Sequence, residues 1–221
     1  MGSQTINVES IHVGKPKTIR EGNNPVKSAI FKQKVVSEKV YLSKLNFDGD
    51  EQADKINHGG LDKAICVYSI DHHPYWKTIL NKQLGAGAFG ENMSVQGVTE
   101  EDIYIGDQFR LGEAIVEVSQ PRRPCFKLGI KWGEPKLAQY VQETGYSGFY
   151  FRVLQEGSVT SGDQLEKIAE HQGKVSIAYM NQIVYHDPEN VEATEQLVQI
   201  DKLADSWRSG LIKRLDQLKN A

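Results

Sequence analysis

Over most of the first 170 positions apolar residues come in alternating or short continuous runs, and a helical rhythm takes over only near the end. Thr5 to Val13 alternates and reads as a first strand. Gly22-Asn23-Asn24-Pro25 is a turn, Lys27 to Lys32 is extended, and Val35 to Leu42 is β-branched and reads as a second strand. Ala64 to Tyr68 is a continuous apolar run, expected to be a buried strand with Cys66 in the core and free of chemistry. Ile103 to Leu111 and Ala114 to Ser119 read as strands joined at Gly112-Glu113, and Gly148 to Leu154 and Leu165 to Glu170 as two more. Few helices interrupt this series. Asp71 is expected to cap one that reaches about Leu84, with His72 and His73 on its surface. Phe126 to Trp132 reads as a short helical turn. Pro135 opens a helix from Lys136 to about Thr144, which Gly145 ends. Beyond Gly173 the period changes: Val175 to His186, Val191 to Ile200 and Ala204 to Leu218 are helical, with Leu211, Leu215 and Leu218 on one stripe. The pattern predicts an α+β chain, a strand-rich domain over 1–172 and a three-helix unit over 173–221.

Composition narrows the function. The chain has 221 residues and a net charge of −3, which argues against broad binding to nucleic acid or anionic lipid. Acidic and basic residues nearly balance from Lys174 onward, so the helical unit lacks the basic face of a DNA reader and suits docking or oligomerisation, a homodimer above all. Two cysteines, Cys66 and Cys125, make no disulfide framework and fit a reducing compartment. Met1 to Lys17 has no secretory pattern and no apolar run approaches a membrane span, so a cytoplasmic protein is expected.

The densest chemistry is at Gln120-Pro121-Arg122-Arg123-Pro124-Cys125-Phe126-Lys127. One thiol follows two guanidinium groups, in a segment stiffened by two prolines. Nearby cations favour the thiolate. The segment alone equally admits an inert buried thiol with a solvated arginine rim. His58-Gly59-Gly60-Leu61-Asp62-Lys63 adds titratable groups beside two glycines that permit close backbone approach, though a plain turn explains it as well. Gly85-Ala86-Gly87-Ala88-Phe89-Gly90 spells a dinucleotide-binding pattern but follows a helix and precedes an extended segment, the reverse of what that motif requires. It reads instead as a flexible loop that delivers Phe89, Glu91 and Asn92. Arg152, alone in an apolar strand, is a rim charge or is aimed at an anion.

Six motifs then stand in order: Lys27-Ser28-Ala29-Ile30, the acidic Gly49 to Asp54 loop, His58 to Ala64, Phe89-Gly90-Glu91-Asn92, Gln120 to Leu128, and Ser147 to Val153. Together they resemble the MOSC family, the domain shared with the C-terminal part of molybdenum cofactor sulfurases, and most nearly its YiiM-type bacterial subgroup, whose three-α domain the trailing helices resemble. The resemblance implies a closed β-barrel with peripheral helices. It implies a molybdenum cofactor (Mo-molybdopterin) with Cys125 as the metal ligand. It also implies reduction of N-hydroxylated small molecules, such as hydroxylamino-purines, with electrons from a flavoprotein or iron–sulfur partner. Cys125, His58 and Glu91 are the catalytic candidates. Lys27, Gly59, Gly60, Asp62, Lys63, Asn92, Arg122, Arg123 and Arg152 are the candidates for holding cofactor, His58 being the first choice to supply a proton. Two other readings use the same loop: a sulfur carrier with a persulfide on Cys125, and a non-catalytic module that binds an anion or cofactor.

Overall fold

The computed structural model describes residues 5–36, 39–55 and 58–220. Asn57, just ahead of His58, and Ser37 and Glu38, inside the expected Val35–Leu42 strand, lie outside the described residues. In chain order the elements are β1 (Thr5–Val13), β2 (Lys17–Glu21), β3 (Asn24–Ser28), β4 (Gln33–Lys34), β5 (Val40–Leu42), β6 (Ile65–Ser69) and α1 (His73–Leu80). Then come β7 (Met93–Gln96), β8 (Gln108–Leu111), β9 (Ala114–Pro121), α2 (Lys127–Trp132), α3 (Leu137–Thr144), β10 (Phe149–Gln155), β11 (Gly157–Val159) and β12 (Gln164–Ala169). The helical unit is α4 (Ile177–Asn181), running on into a wider turn over Gln182–His186, then α5 (Val191–Val198) and α6 (Asp205–Lys219).

Seven strands close into a barrel in the order β12-β8-β9-β10-β6-β7-β1, and β1 returns to β12 with Thr5 opposite Glu166. β6 and β7 pair in parallel; the other barrel pairs are antiparallel. The α+β barrel with peripheral helices and a small C-terminal helical unit is the architecture expected from the sequence. Strand alternation divides β10 between two environments. Phe149, Phe151 and Val153 fill the barrel with Val116, Val118, Ile65, Val67 and Met93. Tyr150 and Arg152 face outward. Each large apolar side chain removed from water contributes on the order of 1.5–3 kcal/mol. A second core lies outside the barrel, where Tyr68, Trp76, Phe89, Leu128 and Leu137 pack beneath α1, α2 and α3. The helical unit is not loosely tethered, because Ile177, Met180, Leu197, Trp207 and Leu211 belong to the same apolar cluster as the barrel interior.

Several elements differ from their expected form. Among the described residues of the expected Val35–Leu42 strand, Val40–Leu42 form β5, paired with β11. The Ile103–Leu111 run starts as a strand only at Gln108, because Gly106 takes φ +86 in a turn before it. Ser69 caps the 3-10 turn Ile70–His72, its hydroxyl accepting from the Asp71 amide at 3.3 Å, and α1 follows from that turn without a side-chain cap of its own. It ends at Leu80, where Asn81 turns left-handed. Asp71 instead accepts the Gly97 amide at 2.7 Å. His72 is not on the surface: its Nε2 lies 2.6 Å from Glu100 and its ring stacks on Tyr146 at 3.9 Å. The Gly85–Gly90 loop is pinned rather than flexible, since Phe89 is fully buried and stacks on Tyr68 at 4.2 Å.

Candidate functional site

β9 runs out at Pro121 and α2 begins at Lys127, so the thiol loop is a short bridge between barrel and outer helices. Its two arginines part company. Arg122 turns inward: its amide donates to Gly148 O at 3.0 Å and its guanidinium to Phe89 O at 2.6 Å. Arg123 turns outward and lies over the indole of Trp207, 4.4 Å from the ring centre. Cys125 is half-buried, and its carbonyl accepts the Leu128 amide at 3.0 Å, which starts α2. The loop opens on a solvent-exposed cleft that Cys125 lines.

The cleft lies on the outer face of the barrel wall. Cys66 on β6 and Tyr150 on β10 form its floor, directly opposed across the strands. Ser28, Ala29 and Ile30 form one flank, and the acidic loop through Glu51 and Asp54 forms another. Gly90 completes that side. Its φ of +75 and the 2.6 Å that would separate an added Cβ from Ile30 Cγ1 leave room only for glycine. Lys32, Lys63, Arg122, Arg123 and Lys127 face the cleft against the carboxylates of Glu51 and Asp54. Lys32 also pairs with buried Asp50. The balance is cationic in a chain whose net charge is negative.

These surroundings set the protonation of the lining groups. Burial, reinforced by Lys127 and Arg122, brings His58 down to about 4, so the ring is neutral at pH 7. Burial and then the Arg123 charge lower Lys63. Burial raises the Cys66 thiol. Burial, with Cys66 next to it, raises the Tyr150 phenol, which therefore keeps its proton.

The MOSC domain model matches residues 54–166, and the YiiM-like 3-alpha helix domain model matches residues 175–218. The chain belongs to the MOSC family. The chain is 45% identical to the protein YflK of Bacillus subtilis, over 99% of this chain and 98% of that one. The crystal structure of YiiM from Geobacillus stearothermophilus superposes with a TM-score of 0.81 at 41% identity, covering 95% of this chain and 99% of the other. A Gibberella moniliformis protein named a reductase is 32% identical over 72% of this chain, which spans 29% of that longer protein.

The MOSC barrel brings His58, Lys63, Asn92, Arg122, Arg123 and Cys125 together at the cleft. Asn92 is there as a brace as much as a lining group. Its Oδ1 accepts the Cys66 amide at 3.2 Å, and its Nδ2 donates to Asp50 at 2.9 Å and to His12 O at 3.2 Å. Other candidates are placed elsewhere. Lys27 is exposed on the β2–β3 hairpin, and its neighbour Ser28 turns to the cleft instead. Glu91 is buried and accepts the Gly87 and Phe89 amides at 2.7 and 2.9 Å and the Ser94 hydroxyl at 2.7 Å. Asp62 and Arg152 bind each other at 2.8 Å beside a different groove. Arg152 is neither a rim charge nor aimed at an anion, because its other arm pairs with Glu117 at 2.9 Å. Gly59 and Gly60 sit just behind His58. Gly60, at φ +102, opens the short helical turn Leu61–Lys63 that carries Lys63 to the cleft.

Sequence reading missed Lys32, Cys66 and Tyr150 as cleft residues. For Tyr150 a signal existed: alternation opposes it to Phe149 and Phe151. For Cys66 there was none, because every position of β6 is buried and the run looks alike on both faces.

Proposed function

We infer that the chain is an oxidoreductase that reduces N-hydroxylated compounds with a molybdenum–pterin cofactor held at the Cys125 cleft. The observation that carries this reading is a half-buried cysteine lining a cleft together with five cationic side chains and two carboxylates. The donor set suits the group. A thiolate is a soft ligand for a thiophilic metal. Among the described residues no group of three or more His, Cys, Asp or Glu could hold a metal ion alone. The metal would therefore come with ligands of its own, as a pterin dithiolene supplies, and Cys125 would add one. Lys32, Lys63, Arg123 and Lys127 suit the phosphate such a pterin carries. A relative named a reductase is consistent with this assignment.

Reduction of a hydroxylamine takes two electrons and two protons, breaks the N–O bond, and yields an amine and water. The cofactor would relay the electrons from a flavoprotein or iron–sulfur donor. The chain supplies binding and orientation. Glu91 is spoken for by two amides and a hydroxyl, and His58 is neutral at pH 7, so neither is an acid suited to the task. The Tyr150 phenol, which burial keeps protonated, lines the floor of the cleft as a hydrogen-bond donor for the substrate oxygen, and the protons come from solvent through the open cleft. His58, as a neutral ring, can accept or donate one hydrogen bond to the bound molecule.

The test is elemental analysis and pterin fluorescence on protein from cells able to make the cofactor, with Cys125→Ala alongside. Molybdenum and pterin in the wild type, lost from a folded Cys125→Ala variant, are the expected result. Tyr150→Phe, which removes that hydrogen-bond donor, is expected to keep both and to lose roughly 100-fold in hydroxylamine reduction. Metal-free wild-type protein carrying a persulfide on Cys125 would overturn the assignment in favour of a sulfur carrier.

A further inference from the structure

Gly210 lies inside the 15-residue helix α6, where glycine is the poorest helix former after proline. Its near neighbour is Arg123. A Cβ at position 210 would sit 3.3 Å from Arg123 Nη2. One helical turn earlier is buried Trp207, the indole beneath the same guanidinium. The Tyr185 phenol, also from the helical unit, lies within electrostatic reach of it. The barrel loop thus lays an exposed side chain against a surface that the helical unit builds. Two further links run beside it: the Ala204 amide donates to Ser119 O at 3.0 Å, and Ser206 Oγ meets Gln120 Oε1 at 3.5 Å. Only Pro124 separates Arg123 from Cys125, and its fixed φ passes a displacement on rather than absorbing it.

We propose that Trp207 and Gly210 are positioning residues for the Cys125 thiol, acting through Arg123. The helical unit then braces the thiol loop from behind without lining the cleft itself. This rests on the function proposed above only in taking Cys125 as the reacting group.

The experiment uses the full chain, made in cells unable to synthesise the cofactor so that the thiol is free. Alkylation of Cys125 by iodoacetamide is timed by peptide mass spectrometry, with far-UV circular dichroism and thermal unfolding as controls. Arg123→Lys keeps the charge and loses the stacked plane; Trp207→Leu loses the aromatic face. Each is expected to speed alkylation about fivefold by releasing the loop, the strength of one cation–π contact expressed as a rate. Because both break one contact, the double variant is expected to be no faster than the faster single. Trp207→Phe, which keeps an aromatic face, is expected within about twofold of wild type. Gly210→Ala, which crowds Arg123, is expected to behave like Arg123→Lys. Unchanged rates in folded variants, or additive ones, overturn the proposal. Should Trp207→Leu fail to fold, Arg123→Lys and Gly210→Ala decide alone. Wild-type protein that takes up no cofactor is a separate result, against the molybdenum reading and not against this one.

Discussion

Glu91 brings a carboxylate into the interior and accepts three hydrogen bonds from its own loop. Two amides and a hydroxyl of the turn from Gly87 to Ser94 converge on it, so these three buried donors are satisfied. Glu91→Ala would leave those donors buried and unpaired. It is expected to cost about 3 kcal/mol in urea unfolding at pH 7. A variant as stable as wild type but inactive would return Glu91 to the list of proton donors. Lys131 belongs to the same neighbourhood. Burial lowers it to about 8, and it donates to Gly87 O at 2.7 Å, so it too braces the loop from below. These roles are invisible in a motif: Phe89-Gly90-Glu91-Asn92 spells functional residues, but the Phe89 and Glu91 side chains face the interior to hold the turn.

At the scale of elements, Arg152 joins three of them. It stands on β10, reaches Glu117 on β9, and meets Asp62 in the turn ahead of β6. Glu117 is nearly buried and keeps a second partner in Gln108 Nε2 at 2.9 Å. Arg152→Ala is therefore expected to cost about 2 kcal/mol, less than a fully stranded buried charge would. Thermal unfolding checks the loss, and the molybdenum and pterin content of the same preparation should match wild type. Loss of cofactor at unchanged stability would place Arg152 in the site after all. The extent of β10 and its alternation were legible in the sequence, since Phe-Tyr-Phe-Arg-Val has period two. What lay opposite each side chain was not, because the partner register shifts between Tyr150 and Phe151.

Over the whole molecule, an acidic chain gathers cations at one cleft, and that field should be felt by any oxyanion. Sulfate is expected to raise the unfolding temperature above that in chloride of equal ionic strength, by less as salt increases. His58 gives the effect a direction in pH. Its folded value of about 4 lies below the unfolded 6.5, so between those values the unfolded chain holds a proton that the folded chain lacks. Stability therefore falls as pH drops through that window. An anion in the cleft would raise His58 and take up that proton, so the sulfate effect should be larger at pH 5.5 than at pH 7.5 and lose this dependence in His58→Gln, as differential scanning fluorimetry would record. Sequence by itself determined the barrel-forming alternation, the switch to helical period after residue 173, and a thiol loop stiffened by prolines and rich in arginine, because each depends on neighbours along the chain. Only the tertiary structure decided that Arg122 turns inward while adjacent Arg123 lies exposed over Trp207, that Glu91 and Arg152 brace while Tyr150 and Cys66 floor the cleft, and that the helical unit packs against the loop. Those outcomes depend on which distant strand or helix lies across from each side chain, which local spacing does not encode.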